Sequence, residues 1–178
     1  LEHCQALNDR FAILDALPTQ VLDQQAQLSS SECAAFGALY FPWVQVGSRM
    51  IPPCGHIAGI YAQRDRDLGI GQTPANIRLE EVVDLSMTVS DADQARLNPL
   101  GINCLRSLPG RGIRIWGGRT LSMDANWRYI NMRRLFVTLA RWCDRTFADV
   151  AFEPNEFRLW VRIERELTAF CEALFRQG

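Results

Sequence analysis

Apolar and polar positions along the chain repeat with two different periods. Near the C-terminus Leu159, Ile163, Leu167, Phe170 and Leu174 recur at i+4, i+4, i+3 and i+4. That is one face of an α-helix, and it predicts a strongly amphipathic helix from about Arg158. In the run ending at Trp116 the period drops to two. Ile113 and Ile115 alternate with Arg114 and Trp116, which predicts a strand with one buried face. Phe11 to Leu14 is a short unbroken apolar run, suited to a strand covered on both faces. Leu39 to Val46 also has strand character, with Pro42 expected at a sheet edge or a bulge because it cannot donate to a ladder. Residues 19–38, rich in Gln, Ala and Ser, read as a helix or an irregular crossover, and Phe147 to Phe152 reads as a strand stopped by Pro154.

Helix punctuation fills in the remainder. Pro52-Pro53 suits the first turn of a helix, where a missing N–H costs nothing. Along that helix Gly55, Gly59 and Ala62 share one face and predict close approach by another backbone, offsetting the roughly 1 kcal/mol that each glycine costs against alanine. Asp65 to Gln72 reads as an exposed loop. Ser90 and Asp93 have capping-box spacing for a helix that ends at Asn98, which Pro99 is expected to push out of the α region. Gly101, Gly110 and Gly112 mark bends or close approaches. Asp124 or Asn126 is the expected N-cap of a helix from Trp127 to about Asp144. On it Ile130, Leu135, Leu139 and Trp142 supply apolar surface, and Arg134, Arg141 and Arg145 share another face. Strands alternating with helices define an α/β fold: a mixed β-sheet flanked by helices, an α/β sandwich, in a single domain over residues 1–178.

Composition narrows the function classes. The chain has 178 residues, nearly half of them apolar, and a net charge of −1. That length supports one domain with a real core. The charge argues against nucleic acid as a partner, since phosphate backbones call for a positive excess. No apolar run approaches the roughly 20 residues that span a bilayer, so no membrane partner is expected. All 19 basic residues are arginine, a side chain whose planar fork suits protein interfaces. The six cysteines are scattered without a C-x-x-C pair, and only His3 and His56 could join them on a metal. No metal or cofactor site is predicted, and reduced, mostly buried thiols in a cytosolic setting are expected. The chain opens on Leu1, which fits a fragment of a longer protein.

One stretch, LNPLGINCLRSLPGRGIRIWGGRTL (Leu97 to Leu121), packs a helix stop, a turn and a strand into 25 residues without a titratable cluster. It resembles the conserved C-terminal sheath domain of contractile phage tail sheath proteins, in which GIN-x-LR leads through a Gly-rich turn into VWG-x-RT. IPPCGHIAGIYAQRDRDLG (Ile51 to Gly69), TPAN (Thr73 to Asn76), WRYINMRRL (Trp127 to Leu135) and FEPN (Phe152 to Asn155) followed by Leu159-Trp160 agree in order and spacing. FAILD (Phe11 to Asp15) is a weaker match. Cys54 and Gly71-Gln72 stand where the family more often has Ser and His-Lys.

The resemblance implies a structural, non-enzymatic subunit without cofactor. Its copies would stack as hexameric rings around an inner tube and contract to drive that tube through a target envelope. Its partners would be other copies, tied by strand-donating terminal arms, the tail tube protein, and baseplate and tail terminator proteins. Its place would be the virion tail sheath, assembled in the bacterial cytoplasm. The C-terminal arm is expected to be missing after 178. The family's tube-facing helix maps onto Arg158, Arg162 and Arg165, which share a helical face, and Arg134, Arg141 and Arg145 are further tube- or neighbour-facing positions.

Cys54 and His56 are a nucleophile and a base close in sequence, the basis of an alternative reading as a small-molecule-binding or hydrolytic α/β domain. At i and i+2 on a helix, however, they point apart. Gly110-Arg111-Gly112 and Gly69-Ile70-Gly71 lack the context of a phosphate loop, and Glu153 and Asn155 read as a local cap and turn.

Overall fold

The computed structural model describes residues 1–17 and 19–177. Helix α1 (Glu2–Leu7) ends at Asn8, whose φ of 48° turns the chain into strand β1 (Ala12–Asp15). Helix α2 (Val21–Ser29) and a 3-10 turn (Ala34–Phe36) lead to β2 (Gly37–Phe41). Then come β3 (Val44–Val46), β4 (Arg49–Ile51) and α3 (Cys54–Leu68). They are followed by β5 (Asp84–Leu85), α4 (Asp91–Leu97), β6 (Ile102–Leu108) and β7 (Gly112–Trp116). Helices α5 (Ile130–Thr146) and α6 (Phe157–Gln177) close the chain.

The main sheet runs β1-β2-β6-β7, parallel across its first three strands and antiparallel at the β6–β7 hairpin. It is the mixed sheet the sequence predicts. A second, antiparallel sheet, β4-β3-β5, continues from the C-terminal end of β2. All five β2 residues are buried, because both faces of the sheet are covered. Ala38 and Tyr40 join Ile57, Ile60 and Tyr61 of α3 and Ile130 of α5 in one core. Leu39 and Phe41 join Leu97 of α4, Ile102, Cys104 and Leu121 in another.

Several expectations change at this level. The strand covered on both faces is β2, not the Phe11–Leu14 run. β1 hydrogen-bonds only to β2, and its four residues are half-buried. Pro42 is at neither an edge nor a bulge, because the interior strand β2 stops at Phe41 and the chain crosses there into the second sheet. The small face of α3 is exposed, with no atom within 4 Å of where a Cβ would stand on Gly55 or Gly59. α3 buries Ile57, Ile60 and Tyr61 instead. The helix also takes in the first half of the predicted Asp65–Gln72 loop, ending at Leu68, and Gly69 turns the chain with φ of 81°.

The Ser90–Asp93 capping box is formed in both directions. Asn98 keeps α dihedrals (φ −61°, ψ −40°), contrary to expectation, and Pro99 ends α4 by continuing it as a 3-10 turn over Asn98–Leu100. Asp124 caps a 3-10 turn (Ala125–Trp127), and α5 begins later than predicted, at Ile130. The cause is local pairing: Thr120 N–H donates to the Arg128 carbonyl, and Arg119 bridges Tyr129, which pulls Arg128 and Tyr129 away from the helix. Phe147 to Phe152 forms no strand. Turn bonds from Val150 N–H to the Phe147 carbonyl and from Glu153 N–H to the Val150 carbonyl satisfy its backbone, while Phe147 packs edge-on against Trp142.

Candidate assembly interface

The six arginines expected to face a tube or a neighbour divide by environment. Arg134 is turned inward. Its side chain is 12% exposed, forms a two-pronged ion pair with Asp65 of α3, and lies 4.4 Å from the Tyr61 ring centre. Beneath it the Tyr61 and Tyr40 hydroxyls hydrogen-bond at 2.6 Å in the core. Burial raises both phenols well above their ordinary range. Arg134 therefore clamps α5 to α3. Arg141 is exposed and lines a cleft with Asp9, Arg10, Phe11 and Ile70, and Arg145 is exposed in the last turn of α5.

On α6 the three predicted arginines also differ. Arg162 is tied to Glu153 at 2.7 Å, and that bond holds it more firmly charged. Arg158 and Arg165 are exposed, and among the described residues neither has an ionic partner. The apolar stripe of α6 packs as its periodicity predicts. Leu159 is buried, and the Phe170 ring stacks on Trp142 of α5 at 4.2 Å with the planes 5° apart. The rest of α6 is less usual. Phe157, Trp160, Val161 and Phe175 are exposed, Phe157 by 74% and Phe175 by 88%, and Phe152 just before the helix by 91%. Glu153 and Asn155 brace the start of this helix, Asn155 by accepting from the Trp160 indole at 2.7 Å. Clustered aromatics beside unpaired arginines are the composition of a protein–protein contact.

Cys54 and His56 are not brought together. Cys54 lies beside Asp15 at the end of β1, and that neighbour, with burial, raises the thiol above its ordinary pKa. Burial also raises Asp15. A thiol held protonated by a carboxylate is a poor nucleophile. His56 instead lines a groove with Gly59, Ile60, Ile77 and Leu79. Gly110-Arg111-Gly112 is the turn of the β6–β7 hairpin, and Gly69-Ile70-Gly71 follows the end of α3.

Sequence reasoning missed two structural anchors. Arg133 is 9% exposed, with its guanidinium 3.5 Å from the Phe36 ring centre and 4.6 Å from that of Trp127, donating to Asn8 Oδ1 at 3.2 Å. Burial works against its charged form. Its signal was its place between Ile130 and Val137 on the inward face of α5. Asn103 is the second. Fully buried, it donates to the Leu39 and Arg119 carbonyls at 3.2 and 2.7 Å and accepts from Arg119 N–H at 2.8 Å. A Cβ on Gly117 would stand 2.7 Å from Asn103 Oδ1, so glycine is required there. The asparagine of GIN and the first glycine of GGRT are thus two sides of one contact.

A mixed sheet between helical layers and an exposed aromatic–arginine face are the features of a protein that associates. The chain belongs to the phage tail sheath protein family: the family model described as the phage tail sheath protein central domain matches residues 2–121. A prophage major tail sheath protein of Pseudomonas aeruginosa (strain UCBPP-PA14) is 31% identical over 103 residues, covering 52% of this chain and 27% of that protein. A chain in the cryo-EM structure of the contracted PVC sheath complex of an extracellular contractile injection system superposes with a TM-score of 0.83 at 32% identity. It covers 94% of this chain and 49% of that one. A chain in the contracted helical sheath of the anti-feeding prophage gives 0.80 at 34% identity, with 94% and 46% covered. A chain in the six-fold symmetrised anti-feeding prophage baseplate gives 0.82 at 35%, with 94% and 45% covered. The chain therefore spans less than half the length of these relatives.

Proposed function

We propose that this chain is the conserved part of a contractile sheath subunit. Its copies stack as hexameric rings around an inner tube, and shortening of that lattice drives the tube through a target envelope. The observation that carries this reading is the exposed α6 face, where Phe157, Trp160, Arg158 and Arg165 lie uncovered on a helix that buries Leu159 and stacks Phe170 on Trp142. The likeness to chains of assembled sheath and baseplate particles supports it. The work is mechanical and needs no bond-making centre: each subunit exchanges one set of neighbour contacts for a more favourable set, and small gains add over many copies.

Other copies are joined by terminal arms that add strands to a neighbour's sheet. The edge at β1 is open for such pairing, whereas Asn76–Leu79 already covers β7. The tube protein meets the α6 arginines, and baseplate and terminator proteins close the ends of the stack. The finished particle is a phage tail or a related injection device, put together in the bacterial cytoplasm.

The tube contact is tested by Arg158→Glu with Arg165→Glu in the full chain, assembled with and without tube protein. Empty cylinders still form, but tube-filled ones fall to a small fraction of the wild-type count in electron micrographs. Normal filling contradicts the assignment.

A further inference from the structure

At the end of the main sheet where β2 and β6 begin, Pro99, Gly101, Arg119, Thr120, Ser122 and Arg128 line a cleft of about 180 Å3. Both arginines are half-buried, and among the described residues neither side chain has a hydrogen-bonding or ionic partner. Among the other shielded arginines, Arg106 takes Asp91, Arg134 takes Asp65 and Arg162 takes Glu153, while Arg133 is held by Asn8 and two aromatic rings. A half-buried guanidinium without a counter-charge keeps its donors free to take one up, so two of them lining one cleft leave a place for an anion. Their backbones are fixed in advance. Asn103 grips Arg119 through its N–H and its carbonyl, and Thr120 N–H donates to the Arg128 carbonyl at 2.9 Å. The Thr120 hydroxyl donates to the Trp127 carbonyl at 2.6 Å. A site whose supports are already paired loses little order on binding.

The opposite end of the parallel strands carries the complement. There Glu80, Glu81 and Asp84 are exposed, and among the described residues none has an ionic partner. Glu81 is held with φ of 60°, and the adjacent Val83 is 69% exposed. Arg111 and Arg114, close by, are occupied with Asn76.

We propose that the Arg119–Arg128 cleft is a carboxylate-binding site that seats an acidic side chain of the Glu80–Asp84 segment of a second copy. The inference rests on the sheath reading above and gives it a residue-level contact. Arginine forks match carboxylates in a two-pronged geometry. Cleft and segment lie at opposite ends of one molecule, so the contact is head-to-tail, the kind that propagates into rings or helices.

The test uses the full chain and begins with wild-type polymer in negative stain. If no ordered polymer forms at all, the sheath reading fails rather than this contact. With polymer in hand, Arg119→Glu plus Arg128→Glu abolishes it while the circular-dichroism melt stays that of a folded protein. Glu80→Arg, Glu81→Arg and Asp84→Arg together also abolish it, and all five changes combined restore it. Should the glutamate pair not fold, Arg119→Gln plus Arg128→Gln decides, and raises the concentration needed for polymer at least about tenfold. Undiminished polymer in the reversed variants, or no rescue in the combination, overturns the proposal. So does binding of a labelled DNA duplex that Arg119→Glu plus Arg128→Glu removes while polymer persists, because the anion is then a phosphate.

Discussion

The Tyr40–Tyr61 hydroxyl pair lies in the core beneath the Arg134–Asp65 ion pair, and its two members cannot be lost independently. Tyr61→Phe leaves the Tyr40 hydroxyl, 0% exposed, without its partner. It should cost about 1–3 kcal/mol in chemical denaturation. Adding Tyr40→Phe removes the orphaned group and should recover part of that loss. Greater instability in the double variant would show that the pair is not the unit of stabilisation. Gly117→Ala tests the other anchor: a Cβ 2.7 Å from Asn103 Oδ1 must displace a fully buried side chain. A drop in Tm of several degrees is expected, and no change would mean that Asn103 yields freely. Neither pairing was legible in the chain, because each joins residues far apart in sequence. The arginines illustrate the same limit. Spacing put Arg134, Arg141 and Arg145 on one face, yet only packing against Asp65 and Tyr61 shows that the first of them points inward.

At the scale of elements, strong periodicity translated directly. The apolar repeat of α6 packs as predicted, and the alternation at Ile113 and Ile115 marks the buried face of β7. The capping box of α4 was legible because it is chemistry between residues three apart. It carries a pH signature. Hydrogen bonds from the Ser90 hydroxyl and backbone hold the Asp93 carboxyl below its ordinary value of 3.8. A lowered folded-state pKa means stability that is present above 3.8 and fades as pH falls below it. Asp93→Ala should therefore melt below wild type at pH 7, and the gap should close in acid. A gap that persists unchanged at pH 2 would rule out the carboxylate as its source. What sequence misplaced were elements set by tertiary competition. The start of α5 is delayed because Thr120 claims Arg128, and the expected strand at Phe147–Phe152 becomes a turn because Phe147 packs on Trp142. The small face of α3 keeps its glycines although no described residue covers them.

For the whole molecule, the informative surfaces are those the fold leaves unfinished: the open edge at β1, the aromatic–arginine face of α6 and the two half-buried arginines without anions. A monomer that worked alone would gain by covering or pairing them. On the proposed reading, a subunit that meets copies of itself uses them as contacts. The family was legible in the sequence through ordered blocks such as GIN-x-LR and GGRT, and the fold supplies their physical reason in the Asn103–Gly117–Arg119 contact. The surfaces were not, because exposure emerges only once the helices are docked.

The claim beneath all of this is that function resides in how identical copies fit together. Negative-stain electron microscopy of the full subunit, expressed alone and concentrated, tests it most directly. Striated hollow cylinders with six-fold end views are the predicted result. A protein that stays monomeric at every concentration, or that turns over a substrate in a manner dependent on Cys54 and His56, would contradict it.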